Sequence, residues 1–170
     1  MTAHQIEIAL LRWFPENRWL VVPRVSWGLH FDEIDFLALS QKGYAHGVEI
    51  KVSISDLGRE FKKRAYQNEE FYRNRAGIVT QKEAWLKCEW FALPTSLIAK
   101  AEPLIPSRFG ILGIDDEVGK YGRQVHEIRR APKNPHAQPW PYEKRYLLSR
   151  NLSLKYWALV RKQEKTVTAT

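Results

Sequence analysis

The chain carries 170 residues, 44% of them hydrophobic, which is the ordinary make-up of one globular domain large enough to bury a core. Its formal charge of +8 and isoelectric point near 9.6 suit a polyanionic partner, although a generic basic protein would carry the same excess. A single cysteine, Cys88, rules out an intramolecular disulfide framework; no signal-peptide layout opens the chain and no apolar run approaches a membrane span, so a cytoplasmic protein with no membrane partner is expected.

In chain order, residues 2 to about 14 predict a helix. Thr2-Ala3-His4-Gln5 is a capping-box pattern, Met1 and Ile6 can form a hydrophobic staple, and Ala3, Ile6, Leu10 and Trp13 make an apolar stripe. Pro15-Glu16-Asn17 ends it. Residues 18 to about 27, RWLVVPRVSW, are rich in β-branched and aromatic side chains and predict a strand, with Pro23 demanding an edge position or a bulge. Gly28 begins a turn, and His30 belongs to the loop that leads onward.

Residues 33–53 predict a β-hairpin. Val48, Ile50 and Val52 alternate with Glu49, Lys51 and Ser53; in the first arm Ile34, Phe36 and Ala38 share one face, and Glu33, Asp35 and Leu37 the other. Gln41-Lys42-Gly43 supplies the left-handed glycine of a three-residue loop. With that loop Ser40 faces Tyr44 and Asp35 faces Glu49, their Cβ atoms about 4.5–5.5 Å apart. A two-residue loop would mix apolar and charged faces. Facing carboxylates repel, so a protonated acid, a nearby lysine or a bound cation should offset them. Mg²⁺ is such a cation, held by one or two carboxylates with waters and substrate phosphates. Lys51 projects to the same side, where its amine could steady a phosphate, a leaving group or an attacking water. A purely structural hairpin would instead pair Glu33 with Lys51 across the strands, worth only about 0.2–1 kcal/mol. Such a sheet gains nothing from like charges placed opposite each other, which favours chemistry at this site.

Beyond the hairpin, Ser53 or Ser55 can cap a helix beginning near Asp56, with Leu57, Phe61, Ala65 and Tyr72 on its buried side. Arg59, Lys62, Lys63 and Arg64 form a dense basic turn beside the carboxylates, suited to a nucleic-acid backbone; a solvated helix salt-bridged through Glu60, Glu69 and Glu70 is the plainer account. Gly77 breaks this segment, and Thr80-Gln81-Lys82-Glu83 caps a short helix through Lys87. Residues 88–93 predict a strand stopped by Pro94, with Cys88 as a core thiol, and residues 109–114 predict a buried strand. Asp115-Asp116-Glu117 reads as an acidic turn rather than a metal cluster. Residues 123–130 give a short strand. Residues 131–141, APKNPHAQPWP, cannot be regular helix or internal strand and form an extended linker that could fold against the body. Trp140 and Tyr142 are expected to pack on the body, stacking on an unpaired base being their other use. Residues 142–162 predict a C-terminal helix packed on the same domain, with Leu148, Leu152, Tyr156 and Leu159 on one side and basic residues around the rest, which could serve as a second DNA-contacting surface or a lid; 163–170 predict a disordered tail.

Asp35 followed by Glu49-Ile50-Lys51 resembles the core of PD-(D/E)XK nucleases. VEIKVSISDL with a basic helix after it, WFALP and FGILGIDD are similar to the MmcB-like DNA-repair and phage branch of that superfamily. No proline precedes Asp35, a departure from the motif. The resemblance covers about residues 1–130. It implies an α/β, restriction-endonuclease-like fold, a central mixed β-sheet flanked by helices, to which the C-terminal helix is an addition. It further implies a Mg²⁺- or Mn²⁺-dependent DNA endonuclease in DNA repair or phage DNA processing. Asp35, Glu49 and the Ile50 carbonyl would hold the metal, Lys51 would position water or stabilise charge, and Glu7 would be the acid that the first helix brings near. A non-catalytic nucleic-acid-binding module on the same fold is the alternative. Oligomeric state is open, a homodimer included.

Overall fold

The computed structural model describes residues 1–25, 33–62 and 85–167, with side chains through Arg161. Lys63, Arg64, the remainder of the second predicted helix, most of the short helix expected from Thr80 and the loop around His30 lie outside the described residues; that helix does not run through Lys87 as expected, because Leu86 and Lys87 already belong to a strand.

Thr2 accepts from the Gln5 backbone while the Gln5 side chain accepts from the Thr2 backbone, closing the capping box that starts α1 (Ala3–Trp13). Its buried stripe is Ile6, Ala9 and Leu10; Ala3 is exposed, and Ala9 takes the place expected for it. Strands β1 (Trp19–Val25), β2 (Ile34–Ser40) and β3 (Ala45–Ile50) form an antiparallel meander. Helix α2 (Ile54–Phe61) follows, capped by Ser53, then β4 (Leu86–Pro94), two short 3₁₀ turns around α3 (Ile98–Ala101), β5 (Gly110–Ile114), β6 (Val125–Arg129) and α4 (Tyr142–Val167). Among the described residues the sheet has six strands in sequence order; β3, β4 and β5 run parallel and the other neighbours antiparallel. The class is α/β, a mixed sheet with helices on both faces.

Pro23 sits on the edge strand β1, where its missing N–H costs no ladder bond. The hairpin register is the expected one: Phe36 faces Val48 and Leu39 faces Ala45, with Gly43 at φ 85° closing the loop. One face of the sheet packs Phe36, Ala38, Val48, Trp90 and Leu112 against α1. The other packs Leu37, Leu39 and Leu86 against Trp140 and Leu148 of the C-terminal segment, and Phe91, Leu93 and Ile111 against Leu57 of α2. Ile34 joins this second face, not the face of Phe36 and Ala38.

The proline-rich segment is a strap. Ala131 packs beside Trp90 on the α1 face, and Trp140, fully buried, lies on the α4 face. Between them Asn134 N–H donates to Lys87 O, and Trp140 N–H donates to Gly43 O. The Trp140 indole donates to Trp85 O at 2.7 Å. Tyr142, expected to pack, is 71% exposed. The final helix buries Leu148 and partly Leu152, whereas Tyr156 and Leu159 are exposed, and it continues to Val167 rather than giving way at Gln163.

Gly110 tests how closely this face is packed. A Cβ there would strike the Trp90 ring and stand 2.7 Å from Ala131 Cβ, both buried. Gly110→Ala should therefore destabilise by about 1–3 kcal/mol, read as a shift in urea midpoint at unchanged slope.

His46 makes a second prediction. Its ring lies edge-on to Phe14 and Trp19, and its Nδ1 has no hydrogen-bond partner among the described residues. Burial, helped by the Lys133 and Lys87 charges, lowers its pKa to about 4. A base depressed on folding is protonated earlier when unfolded, so its contribution is intact above about pH 6.5 and is lost as pH falls towards 4, by at most about 3 kcal/mol. His46→Phe should flatten unfolding free energy against pH across that window; an unchanged slope would assign the acid sensitivity elsewhere.

Candidate active site

The strand ends opposite the strap gather the polar chemistry. Asp35 lies near the start of β2, and Glu49 lies near the end of its antiparallel neighbour β3, so both come to the same end of the sheet. The strands separate here: the Asp35 carboxylate, through Oδ2, accepts the Ile50 backbone N–H at 2.9 Å, standing in for a main-chain partner. Lys51, the residue after β3, donates its own N–H to Ala92 O on β4, which anchors the turn.

Lys51 is the centre of the arrangement. Its Nζ is 2.8 Å from Glu60 Oε2, 3.4 Å from Glu49 Oε2 and 3.9 Å from Asp35 Oδ2. The residue is only 5% exposed, and Glu60 only 4%. Burial alone would lower the lysine pKa, but the summed attraction of Glu49, Glu60 and Asp35 exceeds it and the pKa is raised. Lys51 is therefore a fixed positive charge at neutral pH. Of the three ways to offset the facing acids, the lysine is the one built in. Glu33, its cross-strand neighbour by register, is exposed, and the amine turns to Glu60 instead.

Glu60 escaped the sequence reading, which assigned it to a solvated helix face. Its spacing was the available signal: Glu60 follows Leu57 by three residues and precedes Phe61, so it shares the buried side of α2. The neighbouring cations point outward. Arg59 is exposed and pairs with Asp56 at 3.4 Å, and Lys62 is exposed at the helix end.

Glu7 is turned to His4 at 3.2 Å and to Arg24 at 3.6 Å. Arg24, at φ 50°, falls between the register pairs Pro23–Phe36 and Val25–Ile34, which bracket Asp35 on the next strand. The first helix thus reaches the neighbourhood of Asp35 through an arginine rather than placing its acid among the lysine's partners. Asp115 and Asp116, at the same sheet end, are engaged locally: Asp115 with His126, and Asp116 with the Ser96 N–H and the Thr95 hydroxyl. The Ser96 N–H is the largest cause that holds the Asp116 carboxyl below its usual range. Arg123 donates to the main-chain oxygens of both aspartates. The turn is structural, as read from the sequence.

The donor set suits a hard divalent cation. Asp35 and Glu49 offer carboxylate oxygens on side chains 37% and 19% exposed, above the closed Lys51–Glu60 pair. Among the described residues no group of three or more His, Cys, Asp or Glu side chains gathers to hold a metal.

No family model matches the chain, and no curated protein matches it. Among solved structures, a protein of unknown function from Silicibacter pomeroyi is similar, with a TM-score of 0.55 over 94% of this chain and 89% of that one, at 19% sequence identity. At that identity the likeness speaks for the fold alone. No helix among the described residues is long and apolar enough to cross a membrane.

Proposed function

We propose that the protein is a metal-dependent DNA endonuclease of PD-(D/E)XK type, acting in DNA repair or phage DNA processing. The observation that carries this reading is the convergence of Asp35, Glu49 and Lys51 at one end of the sheet, in the hairpin register that their spacing predicts. The element order, one helix, three antiparallel strands, a helix and then a parallel strand, supports a restriction-endonuclease-like core.

Asp35 and Glu49 would hold Mg²⁺ or Mn²⁺, with the Ile50 carbonyl as the third protein oxygen. When bound, the ion supplies Lewis-acid polarisation of the scissile phosphate and acidifies water. Lys51 is held protonated by three carboxylates, so it serves as a cation rather than a base: it orients the attacking water and stabilises charge developing on the phosphate. Glu60 fixes the lysine amine and so acts as a positioning residue. Arg59 and Lys62, exposed on the helix that leaves the site, would contact the DNA backbone. Incubation of purified protein with supercoiled, linear duplex, branched and single-stranded DNA tests the reading. Cleavage that requires Mg²⁺ or Mn²⁺ and stops with chelator supports it.

The second reading, a non-catalytic nucleic-acid-binding module, draws on the burial of the Lys51–Glu60 pair, which could hold this turn together without chemistry. Salt-dependent binding unchanged by Asp35→Ala, with no cleavage under either metal, would mark that case.

A further inference from the structure

Helix α4 presents Tyr142, Tyr146 and Trp157 on the wrong side for a packing role. Its inner side is set by Leu148 and Leu152 against the core, by Lys155, whose amine donates to Pro23 O at 2.8 Å and Arg24 O at 2.7 Å, and by Lys144, which lies over the Trp85 and Trp140 rings at 4.2 and 4.4 Å. Half a turn away, Tyr142, Tyr146, Arg150, Trp157 and Arg161 follow one another at steps of four and seven residues, a single stripe along an α-helix. Tyr142 is 71% exposed, Tyr146 58% and Trp157 51%, and both arginines are exposed. A solvent-facing stripe that gains nothing from burial, and interleaves large flat rings with guanidinium groups, has the composition of a surface for a polyanion with flat, unpaired bases. The +8 charge of the chain complements such a polymer.

We infer that this outer face of α4 binds single-stranded DNA, with Tyr146 and Trp157 as stacking platforms and Arg150 and Arg161 on the phosphates. The stripe is about 28 Å long, room for several nucleotides. Lys155 ties the helix to the end of β1 that brackets Asp35, so α4 passes close to the strand end that carries this carboxylate. The inference rests on the nuclease reading only in taking DNA as the polymer; it adds that the substrate carries an unpaired segment, such as a flap, a gap or a branch.

Binding is best measured by anisotropy of a labelled oligothymidylate and of a duplex of equal length, with chelator present and in the Asp35→Asn background, so that cleavage plays no part. Trp157→Ala and Tyr146→Ala, both at exposed positions, should each weaken single-strand binding roughly 5- to 100-fold and leave duplex binding unchanged. Arg150→Ala should weaken it and lower the slope of log K against log salt by about one phosphate contact. Wild-type affinity in both aromatic variants would overturn the inference. So would a self-associating protein that these variants make monomeric while oligonucleotide affinity stays the same. Cleavage can be absent while the stripe still binds, and the stripe can fail while cleavage persists, so the two readings fail separately.

Discussion

Asp35→Asn is expected to lower the rate of metal-dependent cleavage by on the order of 10²–10³-fold while the protein stays folded. Loss of one of two carboxylates removes several kcal/mol of metal-mediated transition-state stabilisation, and each 1.36 kcal/mol is tenfold in rate. Asparagine is the informative substitution because its amide oxygen can still accept the Ile50 N–H that Asp35 receives at 2.9 Å. Asp35→Ala would leave that donor without its acceptor, at a cost of about 1–3 kcal/mol that could be mistaken for a catalytic effect. Unchanged cleavage by a well-folded Asp35→Asn protein would remove the acid from the chemistry.

The second large effect falls on stability. Lys51→Met takes the ammonium away from a carboxylate 2.8 Å distant in a site where both residues are almost wholly buried. Breaking a buried ion pair in this way costs about 3–5 kcal/mol. Glu60→Met should cost less, because Glu49 and Asp35 still attract the amine. The double variant Lys51→Met/Glu60→Met should recover most of the lost stability, since apolar replacement of a buried pair is often neutral, yet remain inactive. Denaturant unfolding of the four proteins gives the coupling, and the cleavage assay separates it from catalysis. If the double variant cleaved like wild type, Lys51 would have only a structural role. The pH dependence has a definite sign. The lysine pKa is raised on folding, so its contribution is complete below the ordinary value of 10.5 and is lost as pH rises through the higher folded value. The Lys51→Met variants should lack that alkaline loss.

The hairpin was legible because two independent constraints agree. Its alternation allows one register, and Gly43 supplies the backbone conformation that the same register needs. Pro23 likewise announced an edge strand by what it cannot donate. Glu60 was not legible as a site residue because charge and position pulled in opposite directions. A glutamate between Arg59 and Lys62 looks solvated, and the lysine that follows β3 offsets the cost of its burial. The basic residues of α4 were legible as a second DNA-contacting surface, but the exposed rings among them were not, for a related reason. Leu148, Leu152, Tyr156 and Leu159 form a plausible apolar stripe, but the body extends under only the first part of it, and where a helix leaves its support is a tertiary fact. Similarly, nothing local in APKNPHAQPWP distinguishes a loose linker from a strap; the difference is made by the main-chain acceptors at Lys87 and Gly43.

Calorimetric titration of Mn²⁺ or Mg²⁺ in the presence of DNA, comparing wild type with Asp35→Asn, reads ion binding by the two carboxylates themselves. The arrangement of Asp35 and Glu49 around Lys51 predicts ion uptake by the wild type that the variant loses. Absence of uptake by the wild type, or equal uptake by both proteins, would contradict it.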